Sequence, residues 1–390
     1  MDMRKPSAAL LVCLCFGSIH AYGVLLAPIE QWLGISRTIA SLGYAIAIAA
    51  LTAGVYLNGW LDVLSPRLRL LGCGIMGALG LLITAGSSTA VGLLFGYGLL
   101  FGLANGVGYS LSLVIAAEAM PGREPQAMGL ATAAYGLGAV LSAEVFAAAM
   151  PGVAAGGLLL VLAPVILFAC GIGAWLVTSE SRETRPRRKR PSRVSSGAML
   201  VLWAGYLLGA FSGLMILAHA PAIAQWRTGA DGGNAGVVSS LVSFGSVAGG
   251  YLGGVAYERM PGRLVLALPV LLQAALLAVL PFIILPAALL FVFTVAGLCY
   301  GALIAAVPAE VRRLAGPDSF SVSYGKVFTA WGIAGILGPV TAGALYDLTL
   351  GYGTALAAAA GVSLLSGLFF SSLGRLPGRW RIGGSSEGRE

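Results

Sequence analysis

Ionisable side chains are scarce inside the long apolar runs of this 390-residue chain, of which only 10% is charged. His20 lies about 13 residues into the first run, roughly 20 Å along a helix. Imidazole takes up or releases a proton near neutral pH, so His20 is the first candidate for proton coupling or substrate contact. The alternative interpretation is that His20 only packs between helices and is satisfied by a hydrogen bond. His219 lies near the end of another run. It is either a functional residue or a polar residue at the membrane interface. Glu144, among Ala and Val, is a second candidate for proton coupling, with a carboxylate that reaches the membrane surface as its alternative.

Aromatic and amide side chains form a second set of candidates. Tyr97, Phe101, Asn105 and Tyr109 recur every four residues and therefore lie on one slowly drifting face of a helix. Such a face suits a small-molecule site, although ordinary packing also places aromatic rings on helix faces.

Composition defines the elements that must position these groups. The chain is 58% hydrophobic and holds 57 glycines, which are common where membrane helices approach closely. We therefore interpret it as a polytopic helical membrane protein. The net charge of +8 does not indicate nucleic acid, because the charges sit in short loops between apolar runs. The five cysteines lie inside apolar runs without metal-type spacing, so no metal or other cofactor is expected.

Twelve segments are long enough to span the hydrocarbon layer, which takes about 20 helical residues. In the first half they are roughly 8–28, 38–61, 69–87, 90–117, 127–149 and 154–177. In the second half they are roughly 198–220, 235–257, 264–283, 286–309, 324–346 and 352–373. The first segment also resembles a signal peptide, but its apolar run is long enough to span and no clear cleavage site follows.

Basic residues give the orientation. Of the 23 lysines and arginines, all but Arg37 and Arg227 fall on the side of the two termini. The positive-inside rule therefore predicts a multi-pass protein of the cytoplasmic membrane with both termini in the cytoplasm. A proline-broken basic stretch divides the chain. It predicts two six-helix bundles at 1–178 and 198–373, a cytoplasmic linker at 179–197 and a cytoplasmic tail at 374–390.

The two halves are also repeats. Four short motifs of the first half recur in the second at offsets of 194 to 196 residues. One of them is the glycine-bounded motif at 102–106, which recurs at 297–301. Two repeats of the same orientation are typical of transporters whose halves are related by an axis along the membrane normal.

With these repeats the chain resembles the major facilitator superfamily, which implies an all-α membrane fold of twelve transmembrane helices in two pseudo-symmetric six-helix bundles. The family's marker between spans two and three is Gly-x-Leu-x-Asp-Arg-x-Gly-Arg-Arg. Residues 61–67 keep an acid and a terminal arginine of that marker, and residues 254–263 are a closer second copy. The resemblance implies a latch between the cytoplasmic ends of the two halves, formed by Asp62, Arg67, Glu258, Arg259 and Arg263. The alternative is a set of solvated loop charges. Two further acids, Glu118 and Glu310, are interpreted as gate or cap charges.

Within the superfamily, residues 22–28, 34–38, 213–220 and 324–332 resemble oxalate/formate antiporters and monocarboxylate porters. In those carriers an arginine of span eight pairs with the substrate carboxylate. The equivalent position here is Gly250, so a carboxylate lacks its expected cation.

The superfamily resemblance also implies which spans line the central cavity: one, four, seven and ten, with two, five, eight and eleven beside them. The repeat pairs Asn105 with Tyr300 and Tyr135 with Trp331. The expected substrate-binding residues are His20, Tyr22, Asn105, Tyr109, Tyr135, His219, Tyr300 and Trp331. The expected proton-coupling residues are His20 and Glu144.

The sequence thus predicts a monomeric secondary carrier of a small, monocarboxylate-like organic solute, driven by protons or by exchange. The alternative is an exporter or permease for a larger amphipathic compound such as a drug or siderophore, which the missing arginine and the aromatic groups favour. No Walker-type phosphate loop is present, so ATP drive is not expected. An intramembrane enzyme would need a metal cluster, paired carboxylates or an activated nucleophile, and isolated histidines do not provide these.

Overall fold

The computed structural model describes residues 4–150, 152–177, 196–229 and 235–373. Within these ranges twelve helices are long and apolar enough to cross a membrane, and no residue is in a strand. The helices of the first half are α1 (Arg4–Leu33), α2 (Ile39–Asn58), α3 (Pro66–Ala85), α4 (Ala90–Ala119), α5 (Glu124–Ala149) and α6 (Ala155–Leu176). Those of the second half are α7 (Gly197–Thr228), α8 (Val237–Arg259), α9 (Gly262–Phe282), α10 (Pro286–Ala315), α11 (Phe320–Thr349) and α12 (Gly353–Ser372). The chain is a multi-pass membrane protein.

Each predicted span overlaps one of these helices, but several helices run beyond the predicted ends. α7 continues to Thr228, whereas its span was predicted to end near residue 220. The apolar run stops there, yet alanine, glutamine and arginine have good helix propensity. The backbone therefore stays helical past the apolar stretch.

The two halves repeat the same helix packing. A Cβ added at Gly106 of α4 would lie 1.9 Å from the carbonyl oxygen of Leu51 in α2. A Cβ added at Gly301 of α10 would lie 1.9 Å from the carbonyl oxygen of Ser246 in α8. Both residues of the second contact lie 195 positions after those of the first. Glycine thus brings equivalent helices into backbone contact in both halves, and the predicted pair of pseudo-symmetric bundles is confirmed.

The halves meet on the terminal side, which is the membrane side where α1 begins and α12 ends. A Cβ added at Gly129 of α5 would lie 2.9 Å from the Cα atom of Gly254 in α8. A Cβ added at Gly325 of α11 would lie 2.7 Å from the Cα atom of Tyr56 in α2. Further from this side, α5 exposes side chains such as Val145, which is 61% exposed. The terminal side is therefore closed by direct backbone packing between the halves.

Two predicted segments are largely beyond the described residues. Of the predicted linker at 179–197 only the last two residues are described, and the predicted tail at 374–390 lies wholly outside.

Candidate functional site

The middle of α1 departs from α-helical geometry. The five residues Gly17–Ala21, which include His20, form a 3₁₀ turn between two α-helical segments. At this level α1 approaches α5 closely, since a Cβ added at Gly17 would lie 2.0 Å from the carbonyl oxygen of Tyr135. A change of helix type alters the backbone hydrogen-bond ladder, and water is scarce at membrane depth. Carbonyl groups around the turn therefore benefit from side-chain donors.

Polar side chains of α4 supply those donors. The Nδ2 atom of Asn105 donates to the carbonyl oxygen of Phe16 at 2.6 Å, and the hydroxyl of Tyr97 donates to that of Ile19 at 3.0 Å. Part of α4 is itself π-helical, a geometry frequent at functional sites. The hydroxyl of Tyr135 donates to Oδ1 of Asn105 at 2.7 Å. Asn105 thus joins α1, α4 and α5 and fixes the turn that carries the histidine.

His20 lies among aromatic side chains of both halves. Its Nδ1 atom is 2.8 Å from the hydroxyl of Tyr44 in α2. Its ring meets Tyr135 and Trp331 edge-on, with centroid distances of 5.5 Å and 6.3 Å. Trp331 belongs to α11, so the imidazole contacts the second half as well as the first.

The second half contributes an aromatic wall. Trp331 donates from Nε1 to the hydroxyl of Tyr300 at 2.9 Å, and its ring stacks on Phe328 at 5.0 Å. Phe328 lies 6.0 Å from the ring of Tyr109 in α4, and Tyr109 lies 4.8 Å from Tyr135. These side chains form one continuous group across the two halves. We call it the central cluster: His20, Tyr44, Asn105, Tyr109, Tyr135, Tyr300, Phe328 and Trp331.

Two of the predicted site residues lie beside the central cluster. Tyr22 is buried behind Tyr44, with the two rings stacked at 5.5 Å, and its hydroxyl donates to the carbonyl oxygen of Ala40 at 2.6 Å. Glu144 is exposed on α5, nine residues beyond Tyr135 and so about 13 Å further along the helix. Tyr22 therefore supports Tyr44, and the structure does not bring Glu144 to the cluster.

His219 belongs to a separate aromatic group. This group lies near the end of α7 that is remote from the terminal side. Its Nε2 atom lies 3.1 Å from the carbonyl oxygen of Pro339, and its Nδ1 atom lies 3.1 Å from the hydroxyl of Tyr352. A carbonyl only accepts hydrogen bonds, so Nε2 donates to Pro339. The Tyr352 ring also meets Trp226 at 6.2 Å. His219 thus ties α7 to α11 and to the loop before α12.

The predicted gate residues of the first half are arranged differently from the expected latch. Asp62 pairs with Arg69 at 2.8 Å, and the same guanidinium nitrogen donates to Asn58 at 3.0 Å. Arg69 is only 7% exposed, whereas Arg67 is exposed. The buried partner of the acid is therefore Arg69, and the contact joins the end of α2 to the start of α3.

The second half has its own buried network at the equivalent level. Glu310 is 1% exposed and accepts hydrogen bonds from the hydroxyl of Tyr257 and from Nε of Arg313, the latter at 3.0 Å. The predicted gate residues of this half, Glu258, Arg259 and Arg263, are exposed. Both networks lie within one half.

Sequence reasoning overlooked several of these residues. Phe328 lies three residues before Trp331, so helical spacing could have placed both on one face. Arg69 lies two residues beyond the end of the marker, where only the structure reveals its burial. Tyr44 has no aromatic repeat partner and gives no sequence signal.

Gly250, which replaces the expected arginine of span eight, faces α5 of the other half. A Cβ at this position would lie 3.4 Å from the backbone nitrogen of Ala133. This distance is an ordinary van der Waals contact, so position 250 lies directly beside α5 and provides no cation there.

The comparison with known families explains this architecture. The sequence model of the Major Facilitator Superfamily matches residues 8–225, more than half of the chain. The chain belongs to this superfamily. The expected fold class is therefore confirmed, as is the expectation of a transporter rather than an enzyme.

Monocarboxylate transporter 13 from Rattus norvegicus is 26% identical over 381 residues, which cover 93% of this chain and 86% of the relative. The resemblance to monocarboxylate porters is thus confirmed. Two solved structures share the fold. The transporter FucP in the outward conformation has a TM-score of 0.70 and 14% identity, covering 94% of this chain and 98% of its own. The human organic anion transporter MFSD10 (TETRAN) has a TM-score of 0.71 and 16% identity, covering 95% and 100%.

Proposed function

We propose that this chain is a proton-coupled carrier of a small, monocarboxylate-like organic acid. The observation that carries the proposal is the position of His20 in the central cluster, where its ring contacts Tyr44 of the first half and Trp331 of the second. The similarity to a monocarboxylate transporter supports the substrate class.

His20 supplies the one imidazole of the central cluster, and the other members are aromatic or amide side chains that do not take up a proton. Tyr44 engages Nδ1, which leaves Nε2 for a proton and a substrate oxygen. A protonated imidazole supplies the cation that a carboxylate needs at membrane depth, where Gly250 supplies none. Proton and carboxylate compensate each other's charge, so the loaded site rearranges at low electrostatic cost. This makes uptake of the acid depend on uptake of a proton.

The closed terminal side supports alternating access. Tyr109 and Phe328 lie on the terminal side of the cluster and connect the halves there. The asymmetry of basic residues supports a cytoplasmic location for this side, so the present arrangement corresponds to a state that is closed toward the cytoplasm. When the halves rock to the inward-facing state, this ring contact and the glycine contacts separate. The basic segment 179–197 is then the tether between the halves, and one chain suffices for transport.

The proposal is tested with purified protein in liposomes. An acidic exterior should drive accumulation of at least one acid from a panel of labelled monocarboxylates, and a protonophore should abolish that accumulation. Preloaded unlabelled acid should accelerate exchange. If neither a pH gradient nor a counter-solute changes uptake of any acid on the panel, the proposed function is wrong.

A second candidate function is export of a larger amphipathic compound. Gly250 in place of an arginine and the aromatic wall formed by Tyr300, Phe328 and Trp331 favour it. A ligand that binds the folded protein raises its melting temperature. A thermal-shift screen of organic acids, amines and hydrophobic drugs therefore separates the two candidates. Stabilisation by a drug and by no acid would support the exporter.

A further inference from the structure

A pocket of about 440 Å³ opens on the terminal side of the second half, away from the central cluster. It lies where the ends of α8, α9, α10 and α12 come together. Its walls include Tyr257, Met260, Arg263, Glu310, Arg313 and Leu373. The pocket therefore combines charged and apolar walls at the level of a membrane surface.

The pocket carries an excess of positive charge. Glu310 and Arg313 form an ion pair within the wall, and the hydroxyl of Tyr257 also donates to Glu310, so the excess charge comes from Arg263. The Arg313 side chain remains 54% exposed, and Arg263 is exposed in the first turn of α9. The partial positive charge at the start of this helix adds to that of the arginines. The pocket thus suits an anion with several oxygen acceptors.

The surface next to the pocket is apolar. Leu264 and Leu268 of α9 are 38% and 49% exposed, and Leu365 and Leu368 of α12 are 49% and 58% exposed. On membrane helices such leucines contact lipid chains. A molecule with an anionic head in the pocket and hydrocarbon tails along these leucines satisfies both surfaces at once.

We propose that this pocket binds the phosphate group of an anionic phospholipid, with Arg263 as its main ligand and the exposed part of Arg313, whose Nε and Nη2 atoms already bind Glu310, beside it. Basic pockets between transmembrane helices bind acidic headgroups, and guanidinium groups hold phosphate through paired hydrogen bonds. Free phosphate offers the same oxygens, but only a lipid also uses the leucine surface. The bound lipid connects α9 to α10 independently of the transported substrate.

The test compares lipid binding by the purified full chain and two variants. Arg263→Gln removes the exposed ligand and spares Arg313, which holds Glu310. Arg67→Gln is the matched control, because Arg67 is also exposed on the terminal side and lies 196 residues before Arg263 in the repeat. Native mass spectrometry with phosphatidylglycerol should show about fivefold weaker binding for Arg263→Gln, the effect of one basic residue near a membrane surface. Arg67→Gln should bind like the wild type.

Two further arms identify the source of the phosphate. Phosphatidylcholine, whose head carries a compensating positive charge, should bind more weakly than phosphatidylglycerol. Inorganic phosphate alone should not raise the melting temperature. Equal losses in both variants would overturn the proposal, because they would indicate general charge attraction. Stabilisation by inorganic phosphate that Arg263→Gln abolishes would overturn the lipid as the ligand and assign the pocket to free phosphate.

Discussion

Asn105→Leu tests whether the side-chain bridge at the centre of the first half holds the 3₁₀ turn of α1. Leucine has nearly the same shape, so packing is retained while two hydrogen bonds are lost: the donation to Phe16 at 2.6 Å and the acceptance from Tyr135 at 2.7 Å. Asn105 is 0% exposed, so both bonds lie where little water can replace them. Hydrogen bonds between membrane helices average about 0.6 kcal/mol, which sets a lower limit of about 1.2 kcal/mol. Unsatisfied buried partners cost about 1–3 kcal/mol each, so we expect a loss of about 2–6 kcal/mol.

The assay is reversible unfolding of the purified protein in mixed micelles, with increasing amounts of a denaturing detergent. Ser110→Ala is the control, since Ser110 is buried on the same helix and its hydroxyl only makes a 3.3 Å bond to the carbonyl oxygen of Val107. The control should change the free energy of unfolding by less than about 0.6 kcal/mol. If Asn105→Leu destabilises the protein no more than Ser110→Ala, the bridge does not hold the turn and the reasoning is refuted.

Two further predictions concern packing and buried polar groups. Gly106→Ala places a Cβ 1.9 Å from the carbonyl oxygen of Leu51, so α2 and α4 must separate and stability should fall by about 1–3 kcal/mol. Gly72→Ala, with no atom within 4 Å of the added Cβ, should leave the melting temperature unchanged or higher, and equal effects of the two would contradict close packing. Tyr206→Phe removes a buried hydroxyl that has no hydrogen-bond partner among the described residues, so the free energy of unfolding should stay the same or rise by about 1 kcal/mol. A clear decrease in the free energy of unfolding would contradict this expectation, because it would show that the hydroxyl forms a hydrogen bond.

Apolar runs and an internal repeat sufficed to predict the fold. A helix that crosses a bilayer must be long and apolar, so its sequence signal is continuous. The offset of 195 residues between Gly106 and Gly301 reflects a real packing contact, because glycine at both positions lets helix backbones touch. Helix ends were less predictable, since they depend on local propensity beyond the membrane.

The candidate site was predictable only in part. His20 and Asn105 stood out because polar groups at membrane depth need partners. Which partners they find depends on the non-α geometry of α1 and α4, and the sequence does not show that Gly17–Ala21 is a 3₁₀ turn. For the same reason Tyr44 and the pairing of Asp62 with Arg69 emerged from the structure alone.

The central claim is that His20 couples proton movement to transport. The measurement that tests it most directly is acid-driven accumulation of the identified solute in liposomes, compared between the wild type, His20→Gln and His219→Gln. His219 is the matched control because it also bonds a tyrosine hydroxyl but lies outside the central cluster. We predict that His219→Gln still accumulates solute when the exterior is acidic. His20→Gln should let solute equilibrate without a response to the pH gradient. Gradient-driven accumulation by His20→Gln at the wild-type level would contradict the assignment of His20 as the coupling residue.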